Sequence, residues 1–249
     1  HFIIVAVLIF LGTIFMTWLL RTALPLPTRG STQATTVDYV FNWHMFLIGL
    51  FFSLVMVFML YAVFAFRRRE GDEGDGEHFE GNSMLEIVWT VVPLIIVIFL
   101  GVLGVTTLNE ITQAQENELV VNVEGFQWGW TFAYPEEGEI ISAEMVLPVN
   151  RPARMEMTSK DVIHSFWIPE FRVKQDLVPG HTTVVRFTPS EVGEYVLRCA
   201  ELCGLSHWSM VAPVRVVEQS EYDAWISEKT AGISPALADS PVDEAMATD

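Results

Sequence analysis

The chain has 249 residues, 51% of them hydrophobic, and its 31 Asp and Glu against 14 Lys and Arg leave a net charge of −17. That balance excludes nucleic acid as a natural partner and favours a basic protein partner. Two cysteines are too few for a disulfide scaffold, and the crowding of apolar residues before residue 109 excludes a chain that is water-soluble throughout.

Residues 1–20 (HFIIVAVLIFLGTIFMTWLL) are apolar for long enough to span a bilayer. A signal peptide has a similar composition, but no small-residue cleavage site follows cleanly, so the segment is read as an additional N-terminal transmembrane helix that is retained. Residues 44–66 form a second span, which ends in Arg67, Arg68 and Arg69. An acidic, Gly-rich loop covers about residues 70–81, and residues 84–108 form the third span. Pro93 inside it is tolerated because neighbouring helices restore the backbone bonding it removes. Residues 44–108 therefore read as a transmembrane hairpin. The Arg triplet in its connection is expected on the cytoplasmic side, which puts residues 21–43 and everything after 108 on the outer side.

Residues 109–217 change character. The runs 119–123, 142–147, 153–158, 182–188, 195–199 and 211–217 are rich in β-formers, and turn residues separate them at 135–138, 179–180 and 189–193. Short strands at this spacing predict a sandwich or small barrel, so the fold class is a membrane-anchored all-β protein. Residues 109–218 hold 16 acids against 8 bases. Residues 218–249 are expected to start with a short helix at 220–229 and to end in a disordered acidic tail, with 7 acids against one Lys from residue 219 onward.

The run C-A-E-L-C-G-L-S-H-W-S-M joins the last two strand runs. It holds Cys199, Cys203, His207 and Met210 at the spacing C-x3-C-x3-H-x2-M, with His164 35 positions before the first Cys. Thiolates, imidazoles and a thioether form a soft donor set, which selects copper over oxygen-loving metals. Two thiolates and two histidines hold two copper ions if each sulfur bridges both metals and each metal takes one His. Met210 and a backbone carbonyl would then be weak axial ligands. Three other sites could use some of these residues. A disulfide across so short a loop would be strained. A Cys2His2 zinc finger has different spacing, and zinc has no use for Met. A mononuclear blue copper site needs only one Cys. The second Cys favours the dinuclear centre, which passes single electrons with little change of geometry. No C-x-x-C-H occurs, so a haem-bearing donor would be a separate protein.

Together these segments resemble subunit II of the haem–copper cytochrome c oxidases, over roughly residues 40–230. The resemblance is carried by the copper loop, H-S-F-W-I-P from His164, K-Q-D-L-V-P-G at 174–180, Q-W-G-W at 127–130 and E-I-V-W-T-V-V-P in the third span. It implies a two-helix hairpin followed by a cupredoxin-like β-barrel or sandwich. It also implies a dinuclear copper centre (CuA) bridged by Cys199 and Cys203 and capped by His164 and His207. Met210 and the backbone carbonyl of Glu201 would be the axial ligands. The Glu201 carboxylate would hold a Mg2+ shared with subunit I. Trp128 would be where electrons arrive, Trp130 would be structural, and Glu86 would sit at the mouth of a proton path.

The implied partners are subunits I and III, membrane lipid, and cytochrome c or another soluble one-electron carrier, with the haems confined to subunit I. The implied location is a bacterial plasma membrane, with the copper domain on the periplasmic side. The first span and Gly129, where many members carry an aromatic residue, depart from the family pattern. Two rivals remain at this point, a CuA-type nitric oxide reductase subunit and a non-enzymatic membrane-anchored cupredoxin.

Overall fold

The computed structural model describes residues 1–233 except Asp72, Asp75 and Glu77. The chain divides into two compact units, one of His1–Pro27 with Thr36–Glu110 and one of Thr28–Thr35 with Ile111 onward.

The first unit is built on α1 (Phe2–Ala23), α2 (Thr32–Ala65) and α3 (Ser83–Thr112), all long and apolar enough to cross a membrane. Their 22, 34 and 30 residues correspond to about 33, 51 and 45 Å at about 1.5 Å per residue, against a hydrocarbon core of about 30 Å. Small residues join α1 to α2. A Cβ at Gly49 would come within 2.6 Å of Thr17 Oγ1, and one at Gly12 within 3.2 Å of Ser53. Such close approach is how helices associate in lipid, where apolar burial supplies no drive. Pro93 lies inside α3, which continues through it.

Helix α2 begins at Thr32, well before the apolar run at 44–66. Hydropathy marks the part of a helix that lipid covers, whereas the start here is set by capping. Ser31 Oγ accepts the Ala34 N–H at 3.1 Å, the third helical residue's donor. Asn82 starts α3 in the same way, its Oδ1 accepting the Leu85 N–H at 3.1 Å.

The second unit is a sandwich of two five-stranded sheets. Its strands are β1 (Leu119–Phe126), β2 (Gly129–Tyr134), β3 (Ile140–Ser142), β4 (Met145–Pro148), β5 (Ala153–Ser159), β6 (His164–Ile168), β7 (Val173–Leu177), β8 (Thr183–Phe187), β9 (Gly193–Cys199) and β10 (Val211–Val217). One sheet has the order β3-β2-β1-β5-β8 and the other β4-β10-β9-β6-β7. Alternate residues fill the core between them: Leu119, Val121 and Val123 from β1, Trp130, Phe132 and Tyr134 from β2, and Met155 and Met157 from β5. Helix α4 (Gln219–Ile233) closes one side, with the Trp225 ring edge-on to Tyr134 at 5.2 Å. Residues 234–249, where the disordered acidic tail was expected, lie outside the described residues.

The strands differ from expectation in two ways. The single run at 142–147 is two strands in different sheets, because Ser142 Oγ accepts the Glu144 N–H at 3.1 Å and turns the chain. β2, β6 and β7 come from segments whose motif residues masked their alternation.

Residues Thr28–Thr35 are stitched to this sandwich. Gly30 N–H donates to the Glu170 carbonyl at 2.8 Å, the Gly30 carbonyl accepts Ser190 N–H at 3.0 Å, and Thr32 N–H donates to Thr188 at 3.0 Å. Ser31 Oγ donates to the Phe171 carbonyl at 2.8 Å. Only glycine fits at position 30, since a Cβ there would stand 2.7 Å from the Phe171 ring and 2.9 Å from Tyr195.

Candidate metal centre

Strand pairing assembles the site. β6 runs antiparallel to β9 with Phe166 opposite Cys199, which brings His164, at the head of β6, beside the end of β9. The loop after Cys199 returns to β10, and Cys199 N–H donates to the Met210 carbonyl at 3.0 Å, closing the loop at its base. A short 3-10 turn, His207–Ser209, brings His207 back over the loop. Gly204 has φ +120°, a conformation that L side chains rarely adopt. A Cβ there would also press to 3.0 Å on Gln127 Nε2 and 3.1 Å on the Trp128 ring.

The donors converge. The ligand atoms of His164, Cys199 and Cys203 all lie within 4.8 Å of one another. Cys199 Sγ is 3.9 Å from His164 Nδ1, 3.8 Å from Cys203 Sγ and 3.2 Å from the Glu201 carbonyl oxygen. Cys203 Sγ is 3.6 Å from His207 Nδ1 and 3.7 Å from Met210 Sδ. His164, Cys199, Cys203 and Met210 are buried, and His207 is half-buried. Both thiols are free, their separation being far beyond the roughly 2.05 Å of a disulfide. Burial, and then the neighbouring Cys199, push the Cys203 thiol up to about 11. Two thiols, two imidazole nitrogens, a thioether and a carbonyl facing one another form a donor set that fits a soft metal.

Two residues complete the surroundings that sequence reasoning did not single out. Asp161 Oδ1 accepts from His164 Nε2 at 2.8 Å, so the ring carries its proton there and turns the Nδ1 lone pair to the sulfurs. Burial raises the Asp161 pKa, but hydrogen bonds from His164 and from the Val162 and Gln127 backbones outweigh it and hold the carboxyl below the usual carboxylate range. Gln127 donates its backbone N–H to Asp161 Oδ2 at 2.7 Å and its side-chain Nε2 to the Cys203 carbonyl at 2.7 Å. The D-x-x-H spacing of Asp161 and His164 was the available signal for one of them, and the Q-W-G-W motif for the other.

Trp128 is 39% exposed and donates its indole N–H to the same Cys203 carbonyl at 3.3 Å. Trp130 is buried, T-shaped against His164 at 6.3 Å and Phe166 at 6.4 Å. The Phe126 ring fills the space beside Gly129, within 2.9 Å of where a Cβ would stand. Glu201 is exposed while its carbonyl turns inward to Cys199. Around it the loop presents Leu202, Leu205 and Trp208, 78%, 92% and 83% exposed. Glu86 belongs to the helical unit, in the first turn of α3, and is exposed.

Two family models match the chain. One is described as cytochrome c oxidase subunit II, transmembrane domain, over residues 20–106, and the other as cytochrome c oxidase subunit II, periplasmic domain, over residues 140–218. Cytochrome c oxidase subunit 2 of a Synechocystis species is 33% identical, over 86% of this chain and 78% of that protein. The corresponding protein of Thermostichus vulcanus is 33% identical over 88% of this chain and 84% of that protein. That of Cereibacter sphaeroides is 30% identical over 82% and 79%.

Proposed function

The chain belongs to the cytochrome c oxidase subunit II family, and from that premise we propose that it is the subunit through which electrons reach an oxygen-reducing haem–copper oxidase. As a family member it is a membrane-anchored part of an oxidoreductase complex and not an enzyme by itself. The observation that carries the proposal is the convergence of His164, His207 and Met210 on the adjacent buried thiols of Cys199 and Cys203.

His164, Cys199, Cys203, His207, Met210 and the Glu201 carbonyl would hold two copper ions. Bound there, the copper pair supplies a one-electron carrier between a soluble donor and haem in subunit I. The chain's own residues keep that carrier rigid and dry. The loop is closed by backbone bonds, and its Cys199, Cys203 and Met210 side chains are buried, as is His164 on β6. Trp128 offers a packed, partly exposed route from the surface to the Cys203 carbonyl. On the exposed side of the loop, the Glu201 carboxylate would meet a Mg2+ shared with subunit I. Glu86 would stand at the mouth of a proton path into subunit I, since a carboxylate at the end of a membrane span is costly unless it is used.

The Arg67, Arg68 and Arg69 triplet supports a cytoplasmic α2–α3 connection, because inner loops carry the excess of positive charge. The sandwich then faces the periplasm of a bacterial plasma membrane, where a basic cytochrome c would meet an acidic surface. The test is anaerobic mixing of the copper-loaded full chain, in detergent, with reduced cytochrome c. Uptake of one electron per chain is expected, and no oxidation of the cytochrome would contradict the proposal.

A further inference from the structure

A circuit of hydrogen bonds runs from His164 to the Cys203 backbone through Asp161 and Gln127, neither of which offers a ligand atom to the cluster. It starts at His164 Nε2 and passes to Asp161 Oδ1 at 2.8 Å. Asp161 Oδ2 accepts the Gln127 backbone N–H at 2.7 Å. The Gln127 side chain then donates to the Cys203 carbonyl at 2.7 Å, and Cys203 Sγ faces Cys199 and His207. Gln127 is 34 residues from Asp161 and 76 from Cys203, so the circuit joins three separate stretches of chain. The Lys160 N–H to Gly125 carbonyl bond, 3.0 Å, runs alongside and pins the two turns together.

We propose that Asp161 and Gln127 are positioning residues for the metal centre, Asp161 by aiming and electrically loading His164 and Gln127 by fixing Cys203 and Trp128 relative to each other. A carboxylate on the far side of a ligating imidazole fixes its tautomer and raises its basicity, and loss of such a partner typically lowers metal affinity or activity about 10–100-fold. Gln127 does a different task. Its amide and the Trp128 indole share one acceptor, the Cys203 carbonyl, so the aromatic ring and the ligand loop hold a common register. A side chain placed only to satisfy a buried His or to cap a turn would matter for folding and not for the electronic properties of the bound metal.

The inference rests on the copper reading, and the experiment separates the two. The full chain in detergent is titrated with copper first. If the wild type does not take up two coppers, the copper reading fails and takes this inference with it. If it does, Asp161→Asn and Gln127→Leu are loaded in the same way. Asn keeps an acceptor for His164 but removes the negative charge and the acceptor for Gln127.

Asp161→Asn is expected to favour the reduced state about threefold, roughly 28 mV at about 59 mV per tenfold for one electron, with a changed visible spectrum. Gln127→Leu is expected to lose copper to a chelator at least about tenfold faster. The metal-free forms should melt close to wild type. Unchanged potential, spectrum and chelation rate in folded variants would overturn the proposal. So would metal-free variants that both fail to fold, because the circuit would then be purely structural.

Discussion

Two tryptophans two positions apart on β2 and its preceding turn have opposite surroundings, and this makes them a matched test. Trp128 keeps an exposed edge and one hydrogen bond to the ligand loop, whereas Trp130 is packed in the core against His164 and Phe166. Trp128→Phe should leave the fold and the copper spectrum nearly intact while slowing reduction by cytochrome c more than tenfold in stopped flow. A normal rate would remove Trp128 from the route. Trp130→Ala should instead cost ~3–5 kcal/mol in denaturant unfolding, the usual loss for a buried Trp. A near-wild-type midpoint would contradict its assignment to the core. The candidate ligand loop was legible in the sequence because Cys199, Cys203, His207 and Met210 lie within twelve residues and soft donors are rare. Asp161 and Gln127 were not, because their partners are set by the meeting of the turns before β2 and β6. A carboxylate three residues from a His is too common a pattern to stand out alone.

At the level of elements, hydropathy located the helices but not their starts. Ser31 and Asn82 begin α2 and α3 by side-chain capping, which leaves no mark on a hydropathy profile. The missed strands have a related cause. β6 opens with the candidate ligand His164, and β7 reads as a K-Q-D-L turn, yet both lie in one sheet with β9. Long-range pairing decided those segments, as it commonly does for strands. The stitched segment at Thr28–Thr35 carries its own prediction. Gly30→Val drives a branched side chain into Phe171 and Tyr195 and should destabilise the sandwich by about 1–3 kcal/mol. Ser31→Ala removes both the α2 cap and the bond to Phe171 and should cost about 0.5–2 kcal/mol. Unfolding of the detergent-solubilised full chain, followed by tryptophan fluorescence, measures both. Wild-type stability in both variants would show that the segment is held elsewhere.

The chain as a whole carries three helices long and apolar enough to cross a membrane and an acidic sandwich, and the proposed electron entry requires that sandwich on the outer side. Protease added to the outer side of sealed vesicles should cut near Lys229 and spare the α2–α3 connection, and the reverse pattern would contradict the orientation. With a net charge of −17, donor encounter should be steered by charge. The rate should therefore fall as salt shortens the screening length to about 8–10 Å and below. The family assignment covers α2, α3 and much of the sandwich, while the transmembrane match starts at residue 20 and leaves most of α1 outside it. The central claim is the paired copper site, and the most direct measurement is copper content with electron paramagnetic resonance on the loaded full chain. Two coppers per chain, with one unpaired electron spread equally over both nuclei, is the predicted result. One copper per chain, or the signal of a single blue copper ion, would contradict it.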